Sequence, residues 1–266
     1  MPLEGFSLDQ FSHEGETYPV YHRGNGPGVI IMHEVPGITP EVARFATTVA
    51  DSGFTVVMPS LFGTPGKPNS SGYIARQLLR ACISKEFKVL ASRKSSPITD
   101  YLRALCTSVH KELGGPGVGA IGMCLTGNFA LSLMVDPSVM APVLSQPSLP
   151  FPLSKDKRSA LHISDEDFAC IKKRVKVDDQ KILALRFSDD VTSPPERFDR
   201  LRQELGANFE TIEIDSSPGN AFGISNKAHS VLTTEVVDEE GHPTLAAVKR
   251  TLEFLHENLD ISIGAE

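Results

Sequence analysis

The stretch Val118-Gly-Ala-Ile-Gly-Met-Cys-Leu-Thr-Gly127, followed at once by Asn128-Phe-Ala-Leu-Ser-Leu-Met134, decides how the chain is read. An apolar run of strand composition ends in Gly122, Met123, Cys124, Leu125, Thr126 and Gly127. A turn that sets a nucleophile between a strand and a helix needs small residues on both sides. The pattern is that of a nucleophile elbow with cysteine in place of serine. At such a turn the side chain stands above the carboxyl end of the strand, and the free N–H groups of the next helix favour negative charge there. A thiolate suits that position, and the thiolate is the reactive form of cysteine. A free cysteine is also a common small buried hydrophobe, so the motif needs partners elsewhere in the chain before it carries chemistry.

Outward from the elbow, strands and helices alternate. Upstream, residues 18–23 read as an outer strand and Val29-Ile-Ile-Met32 as a strand buried on both faces of a mostly parallel sheet. Thr39-Pro40 caps and opens a helix over 41–51, Gly53 ends it, and 55–59 is a second buried strand. Residues 61–72 form a polar loop of the kind that rims a site. Helices are expected over 73–84 and 97–113, with 85–96 a basic connection of no assigned structure. Downstream, strands are expected at 141–146, 160–163, 181–187 and 209–214. Helices are expected at 164–175, capped by Ser164, at 196–205, and at 244–259 with Leu245, Val248, Leu252 and Leu255 on one face. Such alternation implies an α/β fold, one open, mostly parallel sheet with helices on both faces. At 266 residues the chain is expected to form a single domain, residues 1–266.

Composition narrows the function. A net charge of −7 without a basic stripe argues against nucleic acid or an anionic membrane surface as partner. The N-terminus lacks a charged-then-apolar secretory pattern, and no apolar run approaches the roughly 20 residues of a membrane span, so a cytoplasmic location is expected. The four cysteines, Cys82, Cys106, Cys124 and Cys170, show no paired spacing, which argues against a disulfide framework or a zinc site; no cofactor and no metal are expected.

In a parallel α/β sheet, reactive groups gather at the carboxyl ends of strands. Glu34, Cys124 and Asp190 each follow a predicted strand, and His229 lies beyond the last one. The chain order nucleophile, acid, histidine is the order of an α/β-hydrolase triad. Gly122-Met-Cys-Leu-Thr-Gly127, His33-Glu34-Val-Pro-Gly37, Asp190-Val-Thr-Ser-Pro194 and Ala228-His229-Ser230 together resemble the dienelactone hydrolase family of α/β-hydrolases, over about residues 18–259. The resemblance implies an α/β-hydrolase fold and a triad of Cys124, Asp190 and His229. It also implies that Glu34 holds the resting thiol, and that the backbone N–H groups of Leu125 and Val35 form the oxyanion hole. The implied activity is hydrolysis of a carboxylic ester or lactone through a thioester.

Several alternatives stand beside this reading. Asp189 competes with Asp190 as the acid, because turns and caps attract aspartate, although the Asp-x-x-x-Pro spacing favours Asp190. Thr126 stands where the family usually has glycine. Gly219-Asn220-Ala221-Phe222 looks like the family's Gly-His-x-Phe with asparagine in place of histidine, which would displace His229 unless 216–227 is an inserted loop. His242 and His256 are weaker candidates, and His33 reads as a structural residue. A non-catalytic binding protein and a redox-sensing thiol are the competing functions. A carboxylate-bearing substrate would call for an arginine, for which Arg76 and Arg80 are the candidates. The oligomeric state is not readable.

Overall fold

The computed structural model describes residues 3–83, 97–161 and 163–259, with the backbone alone at 79–83. Along the chain, β1 (Ser7–His13) and β2 (Glu16–Gly24) form a hairpin, followed by β3 (Gly28–Met32), α1 (Pro40–Asp51), β4 (Thr55–Pro59), α2 (Ser71–Ile83) and α3 (Pro97–Leu113). Next, β5 (Val118–Met123) passes through a 3-10 turn (Cys124–Thr126) into α4 (Gly127–Leu133) and β6 (Val139–Ser145). The chain continues through α5 (Lys155–Ser159), α6 (Asp165–Val177), β7 (Ile182–Phe187), α7 (Pro195–Leu205), β8 (Phe209–Ile214) and α8 (Pro243–Leu259).

One sheet holds all eight of these strands in the order β1-β2-β4-β3-β5-β6-β7-β8. The pairings β1–β2 and β2–β4 are antiparallel, and those from β4 to β8 are parallel. The inner strands β3, β5 and β7 are buried along their whole length, which is why they read as unbroken apolar runs. Alternate residues serve opposite faces: Ile30 and Met32 pack with α3, α4, α6 and α7, whereas Val29 and Ile31 pack with α1 and α8. Each fully buried aliphatic or aromatic side chain contributes about 1.5–3 kcal/mol to these two layers.

Local chemistry sets the helix starts. The Thr39 side chain accepts from Val42 N at 3.3 Å with Pro40 at the first helical position, and Ser164 accepts from Asp167 N at 3.0 Å. In the connection from β1 to β2, Glu14 and Gly15 both have positive φ (48° and 88°), the geometry of a two-residue hairpin turn.

The architecture departs from the sequence reading at three places. Strand β1 was not expected, because Ser-Leu-Asp-Gln-Phe-Ser-His is polar and mostly exposed; it is an edge strand held by backbone pairing to β2. Residues 160, 161 and 163 are not a strand, and the short helix α5 lies just before them. The buried face of α8 is rotated from the expected leucine stripe: Ala247, Val248, Thr251, Phe254 and Leu255 face inward, while Leu245 and Leu252 are only half-buried. The basic connection over 85–96 lies outside the described residues.

Candidate active site

The parallel run β3, β5, β6, β7 delivers four loops to one edge of the sheet, and these carry Glu34, Cys124, Gln146 and Asp190. The sharpest turn is at the elbow. Cys124 has φ +57°, a left-handed conformation that non-glycine residues rarely adopt. Both flanking glycines are required by contact. A Cβ on Gly122 would meet Thr126 O at 2.2 Å, and one on Gly127 would meet Pro147 Cα at 2.6 Å.

Thr126 occupies the place where glycine was expected, and its side chain explains how. The buried hydroxyl donates to Met32 O at 2.7 Å and accepts from Met123 N at 2.9 Å. It therefore ties the end of β3 to the elbow and does not point into the site. The loop after β6 is fastened to the same turn, since Ser148 N donates to Cys124 O at 3.0 Å.

His229 Nδ1 lies 2.7 Å from Asp190 Oδ2, and the imidazole is electrostatically coupled to the Cys124 thiol. Asp190 Oδ1 accepts from Thr192 N at 2.9 Å and from Thr192 Oγ1 at 2.7 Å. Burial alone would push the Asp190 carboxyl up, but the His229 bond and charge, with the Thr192 bonds, hold it below the ordinary carboxylate range. For His229, burial acts to lower the pKa. The charge of Cys124 and the bond to Asp190 outweigh it, so the imidazole sits well above its ordinary value. It is Asp190 and not Asp189 that meets the imidazole: the Asp189 N–H donates to Ser216 Oγ at 3.0 Å and its carboxylate accepts from Ser188 Oγ at 3.4 Å.

Asn220 does not stand in for a histidine here. Its amide donates to Ser217 O and Ile224 O, and its oxygen accepts from Phe222 N and Ile224 N, which closes the loop around it on itself. His242 bonds Thr244 Oγ1 at the start of α8, and His256 packs against Phe54 at 4.7 Å. His33 is wholly buried. Its Nδ1–H donates to Glu34 O at 3.0 Å, its Nε2 accepts from Leu61 N at 3.0 Å, and burial lowers its pKa to about 4. It is thus a neutral strut between the loops after β3 and β4.

Glu34 was expected to hold the thiol and does not. Its carboxyl accepts from Gln146 Nε2 at 3.1 Å, from Ser230 Oγ at 2.8 Å and from Thr233 Oγ1. Burial pushes this carboxyl up, and the three donors and the His229 charge only partly oppose it. The charge of Cys124 acts on His229 instead, while Glu34 fastens the segment that carries His229 to the ends of β3 and β6. Gln146 (φ 35°), Ser230 and Thr233 were not singled out from the sequence, where nothing but adjacency to His229 marks Ser230.

The backbone N–H groups of Val35 and Leu125 flank the elbow, and no loop or side-chain acceptor engages either among the described residues. Around the thiol, Leu125 and Leu149 are buried, and half-buried Val35, Leu78 and Phe151 complete an apolar wall. Arg76 is exposed, since two residues of helix separate it by about 200° from the inward Leu78; the side chain of Arg80 lies outside the described residues.

Two buried arginines, neither predicted, hold these loops. Arg197 donates to Pro147 O, to Pro150 O at 2.7 Å and to Ala160 O at 2.9 Å, and burial lowers its pKa to about 10. Arg186 donates to Ser193 O at 2.9 Å and Ser188 O at 2.8 Å, bracketing Asp190, and pairs with Glu213. Among the described residues there is no cluster of side chains suited to a metal ion, and no helix long and apolar enough to cross a membrane.

With this geometry in place, comparison with known proteins is specific. A profile of the dienelactone hydrolase family matches residues 16–259. A protein of Saccharomyces cerevisiae named "Putative carboxymethylenebutenolidase" is 26% identical over 201 residues, 73% of this chain and 69% of its own. Among solved structures, one titled "Putative Dienelactone Hydrolase" from Klebsiella pneumoniae superposes with a TM-score of 0.61 at 17% identity, covering 95% of this chain and 99% of that one. An α/β serine hydrolase of Xanthomonas campestris described as lacking a lid gives 0.58 at 10% identity, covering 98% and 99%. At these identities the structural likeness bears on the fold, which is that of the α/β-hydrolases.

Proposed function

The chain belongs to the dienelactone hydrolase family of hydrolases, and from that premise we propose that it cleaves a carboxylic ester or lactone through a Cys124–His229–Asp190 triad. The observation that carries this reading is the Asp190–His229 pair, 2.7 Å apart, with the imidazole electrostatically coupled to the thiol at the elbow. The raised pKa of His229 suits the imidazole to take up the proton of the Cys124 thiol. The Cys124 sulfur attacks the carbonyl carbon, and the tetrahedral oxyanion takes hydrogen bonds from Leu125 N and Val35 N, each worth about 3–4 kcal/mol. His229 gives its proton to the leaving alkoxide as the C–O bond breaks, leaving a thioester. The imidazole then takes a proton from water, whose hydroxide displaces the thiolate and releases the acid. Asp190 fixes the imidazole orientation and stabilises its cation.

Hydrolysis of a short-chain aryl ester by the wild type, Cys124→Ala and His229→Ala, with mass spectrometry for an acyl group on Cys124, tests the mechanism. Loss of about 100-fold or more in both variants, with an adduct on the wild type, is expected. Activity that survives Cys124→Ala, or no turnover and no adduct in the wild type, would refute it.

A further inference from the structure

Building on the hydrolase reading, we infer that Gln146 is a positioning residue, which holds the His229 imidazole in place for Asp190 and Cys124. No helix or strand lies between Ile214 and Pro243, so regular structure does not set where the imidazole stands. Tertiary contacts must place it. The strand register pairs Met32 with Gly122 and Met123 with Ser145; carried past the strand ends, it sets Glu34, Cys124 and Gln146 in one row. In the sheet order β3-β5-β6, the outer two of these strands stand about 10 Å apart. Glu34 and Gln146 close that gap side chain to side chain, with Gln146 Nε2 donating to Glu34 Oε2 at 3.1 Å. The end of the elbow strand is thus spanned by a bracket from its two neighbours.

The histidine segment hangs on that bracket. Ser230 Oγ donates to Glu34 Oε2 at 2.8 Å, Thr233 Oγ1 donates to Glu34 Oε1, and Val231 N donates to Gln146 Oε1 at 3.3 Å. The Gln146 amide is therefore used at both ends, by the Glu34 carboxyl and by the backbone two residues beyond His229. Val231 N–H is a donor only, which fixes which end of the amide is oxygen. Gln146 is wholly buried and has φ +35°, a conformation that non-glycine residues rarely adopt. Its own backbone is pinned on both sides: Gln146 N donates to Leu185 O at 2.8 Å, and Gln146 O accepts from Ser148 Oγ at 3.0 Å. Such strain persists where surrounding contacts over-determine it, and it gathers at active sites.

Two measurements test this: steady-state hydrolysis of p-nitrophenyl butyrate, and alkylation of Cys124 by iodoacetamide, followed by mass spectrometry of the Cys124 peptide. Gln146→Met keeps the length of the side chain and removes both ends of the amide, while Ser230→Ala cuts the same bracket at its half-buried end. Gln146→Met is expected to lower kcat at least about 10-fold with KM little altered. Ser230→Ala is expected to act in the same direction by less, and the two combined to lose little more than Gln146→Met alone. Alkylation is expected to slow in Gln146→Met, but not when that change is made in His229→Ala, where no imidazole is left to position. A kcat within about twofold of the wild type in both single variants would overturn the inference. So would alkylation that responds alike with and without His229, because Gln146 would then act other than through the imidazole. If Gln146→Met does not fold, Ser230→Ala takes its place in both comparisons. No turnover and no acyl adduct in the wild type would overturn the hydrolase reading, whereas the alkylation comparison still decides whether Gln146 works through His229.

Discussion

At the level of single residues, the imidazole of His229 is balanced between opposing forces. Burial removes water from it and disfavours its charge, whereas the carboxylate 2.7 Å from Nδ1 and the adjacent sulfur favour that charge and prevail. Asp190→Asn keeps the shape but removes one of the two charges and replaces an acceptor by an amide that can present its N–H instead. In that variant the His229 pKa is expected to fall, by the stabilisation that Asp190 now supplies, as read from the imidazole C–H resonances in an NMR titration. Hydrolysis is expected to drop about 100-fold or more. An unchanged titration would show that Asp190 is not coupled to the histidine. The sequence made these three residues legible because each follows a strand in a fixed chain order. The Asp-x-x-x-Pro spacing favoured Asp190 over Asp189 in the same turn, but the contacts that separate them, with Thr192 inside the turn and Ser216 far along the chain, are a matter of the folded structure.

At the level of elements, the loops after β3 and β4 meet through His33, whose ring also packs edge-on against Phe62 at 4.4 Å. Because burial depresses its pKa from 6.5 to about 4, the unfolded chain binds a proton that the folded chain refuses across that interval. Stability contributed by the neutral ring is therefore complete above about pH 6.5 and is lost progressively as pH falls towards 4. The loss totals roughly 3 kcal/mol at about 1.4 kcal/mol per unit. In His33→Gln the side chain cannot titrate, so urea midpoints between pH 6.5 and 4 are expected to flatten relative to the wild type, from a lower starting stability. A profile of unchanged slope would assign the acid sensitivity to other groups. That His33 is structural could be suspected from its place beside Glu34, but its partner Leu61 N is 28 residues away and beyond any local pattern. Strand β1 was illegible for a related reason: an exposed edge strand owes its form to the partner backbone, not to apolar alternation.

For the whole molecule, the alternation of buried strands and amphipathic helices was enough to place the sheet, its mostly parallel sense and the edge where chemistry gathers. What the alternation hides is how irregular loops on that edge are kept in position. Arg186 interrupts the apolar run Ile-Leu-Ala-Leu-Arg-Phe of β7, and Arg197 lies on the amphipathic α7. In sequence each looks like a solvated charge, yet both are buried. Their donors meet carbonyls far along the chain, a property of tertiary structure alone. The two clamps serve different halves of the site: Arg197 holds the wall that includes Leu149 and Phe151, while Arg186 holds the turn that presents Asp190. A lysine keeps the charge but has one nitrogen in place of a planar fork, so it leaves buried carbonyls unpaired at about 1–3 kcal/mol each. Both Arg197→Lys and Arg186→Lys are therefore expected to lower the melting temperature by several degrees. Kinetics should separate them. Arg197→Lys loosens a binding surface used alike by substrate and transition state, and should raise KM with kcat little altered. Arg186→Lys releases the acid that orients the imidazole, and should lower kcat with KM little altered. Identical kinetic effects in the two variants would mean that the edge of the sheet yields as one unit and that no such division of labour exists.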